Sequence, residues 1–271
     1  MRYYDSEKRC LVYEEKSRSD PDFWDDHWAK DDWNEIEKKG KKDRFVGKIT
    51  RKFLKPSRSV KILEGGCGKG QYVFSLDHCG YDAYGVDFAK NTVDKVNKNF
   101  TQLNIKLSDI RQIDFPDNFF DAYWSLGVIE HFYEGYLEIL DEMNRVLKPG
   151  GYVFVTFPYM SPLRKLRAKL GRYPEFQKER LDLSKFFQFA LDVKRVQKDF
   201  SKKGFRIVYK RPFDGIKGLK DELDDFPSLQ KIFNEIYHSK NFFIKIIKYA
   251  IHLSCAPVCG HIILMVFKKN D

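Results

Sequence analysis

The sequence contains no long apolar run. A membrane-spanning helix needs about 20 consecutive apolar residues, and the most apolar stretch, residues 242–254, is shorter and broken by Lys245 and Lys248. The chain starts on the charged MRYYDSEKRC, without the apolar region of a secretory signal. Its five cysteines, Cys10, Cys67, Cys79, Cys255 and Cys259, are odd in number and scattered, which speaks against a disulfide framework. Internal repeats and low-complexity tracts are also absent. These absences predict a soluble, cytoplasmic chain with reduced thiols. A 42% hydrophobic and 16% aromatic content supplies enough material for a large core in its 271 residues.

Charge is unevenly spread. The formal excess of +10 comes mainly from residues 159–220, which hold 18 Lys and Arg against 6 Asp and Glu. A solvated face is the ordinary explanation of such a run. A localised excess also raises the local concentration of an acidic partner.

Between Val60 and Pro158 apolar runs alternate with helix-period segments through short connections. VKILEG, DAYGVD, NIKLSD, FFDAYWSLG and YVFVTFP read as strands, with helices between them. This rhythm predicts a parallel sheet covered by helices on both faces. FRIVYKRPF and HIILMVFKK add two later strands. One domain is expected: a helical N-terminal cover over residues 1–45, a ligand-binding core over 46–158, a basic insertion over 159–187, and C-terminal strands with a helical insertion (214–253) over 188–271.

The first strand runs into ILEGGCGKGQY, with four glycines between Gly65 and Gly70. Glycine is costly in regular structure, so the turn is expected to bring a ligand close to the backbone at the carboxyl end of the sheet. Asp87 ends the second strand, where a carboxylate can hold both hydroxyls of a ribose, and Asp109 ends the third. The spacing Gly66-x-Gly68-x-Gly70 departs from the dinucleotide pattern, whose third glycine would fall on Gln71. A dehydrogenase is therefore the weakest alternative. The P-loop pattern fails as well. Glu64, just before the loop, suits a ligand bearing an ammonium group better than a pyrophosphate.

With these residues in place, the sequence resembles the class I S-adenosylmethionine-dependent methyltransferases, in particular the type 11-like small-molecule enzymes. LEGGCGKG, GVDFA, SDI with FPDNFFDAYWSLGVIEHF, and MNRVLKPGGYVFVTFP match the family's motifs in order from about Phe45 to Pro158. The resemblance implies a Rossmann-like seven-stranded mixed sheet of order 3-2-1-4-5-7-6 with the last strand antiparallel. It implies S-adenosyl-L-methionine as cofactor and S-adenosyl-L-homocysteine as product. It places Gly65, Gly66, Cys67, Gly68 and Gly70 around the methionine part and Glu64 towards its ammonium. Asp87 would hold the ribose, Phe88 and Ile110 would flank the adenine, and Asp109 would accept from its amino group. Ser125 and Leu126 would line the sulfonium side.

Methyl transfer from a sulfonium draws mostly on proximity and orientation. A base is required only for an acceptor that must lose a proton, and His131 is the candidate. Phe23, Trp24, Trp28 and Trp33 suggest a lid whose aromatic faces favour a cation. The insertion, with Arg164, Lys165, Arg167, Lys169 and Arg172, is expected to shape the acceptor site. It points to a small or lipid-linked, acidic acceptor, and segment 164–172 to peripheral membrane contact. No RNA-binding module is recognisable, which leaves an RNA methyltransferase as an alternative beside a non-catalytic cofactor-binding regulator. His252, Cys255, Cys259 and His261 match no zinc module, so no metal is expected. The oligomeric state is not legible.

Overall fold

Two short segments rich in aromatic and β-branched or aliphatic residues, RYYD and CLVYE, form antiparallel strands at the N-terminus, β1 (Arg2–Asp5) and β2 (Cys10–Glu14). The expected helical cover is thus only part of the N-terminal region: α1 (Pro21–Ala29) and α2 (Trp33–Lys42) follow the strands, and α3 (Phe45–Thr50) leads into the core. The computed structural model describes residues 1–15, 20–29, 33–180, 182–239 and 241–271. Lys30, Asp31 and Asp32 of the tryptophan-rich segment lie outside the described residues.

The core then alternates as the sequence predicts: β3 (Lys61–Gly65), α4 (Gln71–His78), β4 (Asp82–Asp87), α5 (Lys90–Asn99), β5 (Asn104–Leu107) and β6 (Phe120–Leu126). After these come α6 (Leu137–Val146), β7 (Leu147–Pro158), α7 (Pro162–Lys169), β8 (Phe186–Ala190), α8 (Val193–Lys202) and β9 (Phe205–Phe213). Helices α9 (Gly215–Asp221), α10 (Pro227–His238) and α11 (Phe242–Cys259) form the late insertion, and β10 (Ile262–Lys269) closes the sheet.

The main sheet has the order β5-β4-β3-β6-β7-β10-β9, and β10 runs antiparallel to both neighbours. Renumbered along the core, this is the expected order. Apolar side chains fill both faces. On one, Trp124 stacks on Phe154 with ring centroids 4.4 Å apart, and its indole N–H donates to Thr50 Oγ1 at 3.0 Å. Reversal of strand order at β3 and β6 opens a crevice at the carboxyl ends of the strands, where ligands of such sheets bind.

A second sheet, β1-β2-β8, joins the N-terminus to the insertion, with Leu11 opposite Ala190. Its strands lie far apart in sequence, so their pairing leaves no local signature.

Helix α7 departs from the expected substrate or membrane face. Arg164 is fully buried and donates to Glu222 Oε1, the Tyr159 carbonyl and His261 Nδ1, each at 2.9 Å. Arg167, one turn along the same face, pairs with Asp224 at 2.5 Å and Asp225 at 2.7 Å. Lys165 pairs with Asp192 at 2.7 Å. The partners come from residues 192 and 222–225, which removes Arg164, Lys165 and Arg167 from the free charge of the run, whereas Lys169 and Arg172 stay exposed. Cys259 and His261 of the zinc-like spacing are likewise engaged. Cys259 Sγ lies 3.2 Å from the Cys255 carbonyl, and His261 sits among Arg164, Lys217 and Asp221. Among the described residues no cluster of His, Cys, Asp and Glu is arranged for a metal, and no helix is long and apolar enough to cross a membrane.

Candidate functional site

The turn after β3 is fixed from both ends. The amides of Gly66 and Cys67 donate to the Val86 carbonyl at 2.8 and 3.0 Å, and the Gly68 amide donates to Asp87 Oδ2 at 2.7 Å. Gly66, Gly68 and Gly70 have φ of +74°, +49° and +72°, the left-handed region where a side chain is strained. A Cβ on Gly68 would lie 2.9 Å from Trp28, so α1 rests directly on the loop. At Gly65 the φ is ordinary and space is the constraint: a Cβ there would lie 1.8 Å from the buried Tyr123 hydroxyl. Gly65→Ala is expected to cost about 1–3 kcal/mol by overpacking. Tyr123→Phe removes a hydroxyl with no hydrogen-bond partner and should recover much of that loss in a double-mutant cycle followed by urea denaturation.

A cavity of about 660 Å³ opens over this loop, within the usual 300–1,000 Å³ of small-molecule sites. Of the residues chosen from sequence, Gly66, Asp87, Phe88, Asp109, Ile110, Leu126 and His131 line it. Glu64, Gly65, Cys67, Gly68, Gly70 and Ser125 stand behind the wall. Cys67 is a packing residue: a Cβ on Gly85 would meet its sulfur at 2.8 Å.

Asp87 is buried, and burial raises its carboxyl above the usual range while backbone N–H donors from Ala89 and Gly68 act against that rise. Glu64 is buried as well. Its carboxylate takes a hydrogen bond from the Val73 amide in the first turn of α4, and Oε2 has no partner. Burial raises Glu64 well above the carboxylate range, and the charge on Asp87 adds to this. Two adjacent buried acids, one with an orphan oxygen, make a place for a cation and for hydroxyl donors.

Asp109 has a partner the sequence did not suggest. Arg111 approaches it through Nε at 3.0 Å and Nη2 at 2.6 Å, and these bonds lower the Asp109 carboxyl. Each carboxylate oxygen carries further lone pairs, so the pair can still accept one more donor.

His131 lies in a short 3₁₀ turn after β6, with Nδ1 2.7 Å from the Phe187 carbonyl. A carbonyl only accepts, so Nδ1 carries the proton and the neutral ring keeps its lone pair on Nε2. Burial pushes this imidazole down to about 4. Trp24 meets its edge with centroids 5.2 Å apart. Glu130 beside it is buried away from the cavity wall, and burial pushes it up to about 8.

The aromatic helix does cover the site: Trp24 and Trp28 line the cavity. Sequence reasoning missed what holds α1 there. Ala89, the residue before α5, offers no side-chain cap, and Asp25 of α1 supplies one from outside, accepting from the Asn91 amide at 3.2 Å and from the Thr92 amide and hydroxyl at 2.7 Å. Also missed was the turn from Phe132 to Glu138, which forms the far wall. Among the described residues none of 159–187 lines the cavity, so the basic insertion reaches it only through the Phe187 carbonyl that holds His131.

A sheet with this strand order, a glycine turn after its first strand and an acid ending its second is the arrangement that the resemblance to class I methyltransferases predicts. Residues 63–155 match the family model described as a methyltransferase domain. A demethylmenaquinone methyltransferase of Bacillus licheniformis is 31% identical over 110 residues, 38% of this chain and 47% of that protein. One from Staphylococcus aureus is 35% identical over 102 residues, 35% of this chain and 42% of its own. The chain thus spans less than half the length of these curated relatives. The methyltransferase in the Haloferax volcanii Trm112 activator complex superimposes with a TM-score of 0.57 at 14% identity, covering 92% of this chain and 98% of its own. The [4+2]-cyclase SpnF gives 0.50 at 17%, covering 83% and 80%. These two likenesses speak to fold alone. Taken with the motifs, the matches make residues 63–155 similar to the methyltransferase domain of such enzymes.

Proposed function

We propose that the protein is an S-adenosylmethionine-dependent methyltransferase acting on a small, planar, largely apolar acceptor. The observation that carries this reading is one cavity with Asp87 and the glycine turn on one side and Trp24, Trp28, Phe132 and His131 on the other. The residues fit the cofactor. Asp87 would take the ribose hydroxyls, Phe88 and Ile110 the adenine faces, Asp109 with Arg111 its edge, and Glu64 would favour the positive end from behind the wall. Leu126 would face the transferring group, with Ser125 behind it. When bound, the cofactor supplies a methyl group already activated on a sulfonium.

The protein's own part is to bring the acceptor into line, exclude water beneath α1, and hold a proton acceptor at Nε2 of His131. The names of the curated relatives point to a quinone-type ring, which the aromatic walls would sandwich. The cavity wall carries Asp20, Asp87, Asp109, Glu134 and Glu138 against Arg111 alone. This balance argues against an acidic acceptor or RNA.

The test is calorimetric binding of S-adenosylmethionine and S-adenosylhomocysteine, followed by transfer of labelled methyl to a panel of quinols and phenols. Binding without transfer to any acceptor class would favour the non-catalytic regulator; no binding would remove the proposal. His131→Ala is expected to lower turnover by about 100-fold or more, the scale of a lost general base, with product affinity unchanged. Unchanged turnover would leave His131 a structural residue.

A further inference from the structure

A second hollow of about 410 Å³ lies between the β1–β2 turn and α8, apart from the cavity described above. Six cations face it: Lys8 and Arg9 from the turn, and Lys194, Arg195, Lys198 and Lys202 from the helix. Three carboxylates share the wall, Glu7, Asp192 and Asp199, and two of them are engaged elsewhere. Asp192 caps α8, accepting from the amides of Lys194 at 2.9 Å and Arg195 at 3.1 Å, and it also pairs with Lys165 at 2.7 Å. Asp199 accepts from the Tyr136 hydroxyl at 3.0 Å and lies 3.9 Å from Arg195.

Lys8, Arg9, Lys194, Lys198 and Lys202 join no ion pair among the described residues, in contrast to Arg164, Lys165 and Arg167 nearby. Residues 194, 198 and 202 repeat at i, i+4, i+8, which stacks three like charges along one helix face and disfavours the helix. Arg9 adds a fifth unpaired charge from a left-handed backbone, at φ +54°, a conformation unfavourable for a residue with a side chain. Repulsion concentrated this way around a concave surface is relieved by a multivalent anion. A solvated face would need neither the hollow nor the convergence of two remote segments.

We propose that this hollow binds a compact phosphate-bearing group with more than one negative charge. Its position connects it to the catalytic side. The Lys8 ammonium lies 5.2 Å from the Tyr133 ring centroid, Tyr133 lines the main cavity, and Tyr136 bonds Asp199. An anion drawing Lys8 and the α8 lysines together therefore bears on the 132–138 wall.

Pyrophosphate titrated into the full chain by calorimetry provides the test. Saturable one-to-one binding is expected, weakened at least about 10-fold in Lys194→Ala/Lys198→Ala and unchanged in Lys95→Ala/Lys98→Ala on α5, with both variants melting like the parent. Absence of saturable binding, or equal weakening by both pairs, overturns the site. Phosphatidylcholine vesicles containing phosphatidic acid identify the source. Sedimentation that pyrophosphate displaces and the α8 pair abolishes assigns a lipid headgroup, whereas pyrophosphate binding without sedimentation assigns a free phosphate compound. Attachment to RNA or vesicles that persists in the α8 variant, without pyrophosphate binding, also overturns it.

Discussion

Asp87→Ala is expected to lower the affinity for S-adenosylhomocysteine at least about 100-fold. Hydrogen bonds to a charged group contribute roughly 1.5–3 kcal/mol each, and two ribose hydroxyls would be lost at once. The same carboxylate holds the Gly68 and Ala89 amides at 2.7 and 2.9 Å, so the alanine variant also loosens the turn proposed to face the cofactor. Asp87→Asn separates the two effects. Its amide oxygen can keep one backbone donor, and the turn should hold better than with alanine while the ribose still loses an acceptor. Calorimetry with a parallel thermal melt reads both. A folded alanine variant that binds as the parent does would move the nucleoside site away from this crevice.

The second large effect concerns stability. Arg164→Met should cost about 3–5 kcal/mol, the scale of breaking a buried ion pair by removing one partner. The methionine fills much of the volume yet leaves Glu222, which is 3% exposed, without one of its cations. Glu222 also takes Arg2 at 2.7 Å and the Tyr173 hydroxyl, so the network ties β1, α7 and α9 together. At about 2–4 °C per kcal/mol for a chain of this size class, the midpoint should fall by roughly 10 °C. Pairing the change with Glu222→Leu removes both charges and should restore part of the loss. A drop of less than about 1 kcal/mol by urea titration would show that the network adds little.

The contrast between Asp87 and Arg164 explains what could be read from the chain alone. Asp87 closes an apolar strand, and its partners lie within twenty residues, so position along the core gives its place. The strands of the core follow from the same local rhythm, whereas their order came from the resemblance. Arg164 looks like a surface charge because its carboxylate, Glu222, sits about sixty residues away at the end of α9, whose packing leaves no local trace. The β1-β2-β8 sheet escaped notice for the same reason. Asp109 was found at its strand end, yet its bond to Arg111 depends on how the following turn folds back. The aromatic helix was recognised by composition, whereas its fastening through Asp25 was hidden, because the acceptor and the helix it caps are more than sixty residues apart.

That fastening makes opening of the site observable amide by amide. The Thr92 N–H is protected from solvent hydrogen by a carboxylate on another helix, and no bond within α5 replaces it when α1 lifts. Its deuterium uptake should therefore follow the open population of the cover, while amides deeper in α5 follow unfolding of the helix itself. A ligand that holds α1 down would slow exchange at Asn91 and Thr92 first, giving a direct count of how often the cavity admits or releases its contents.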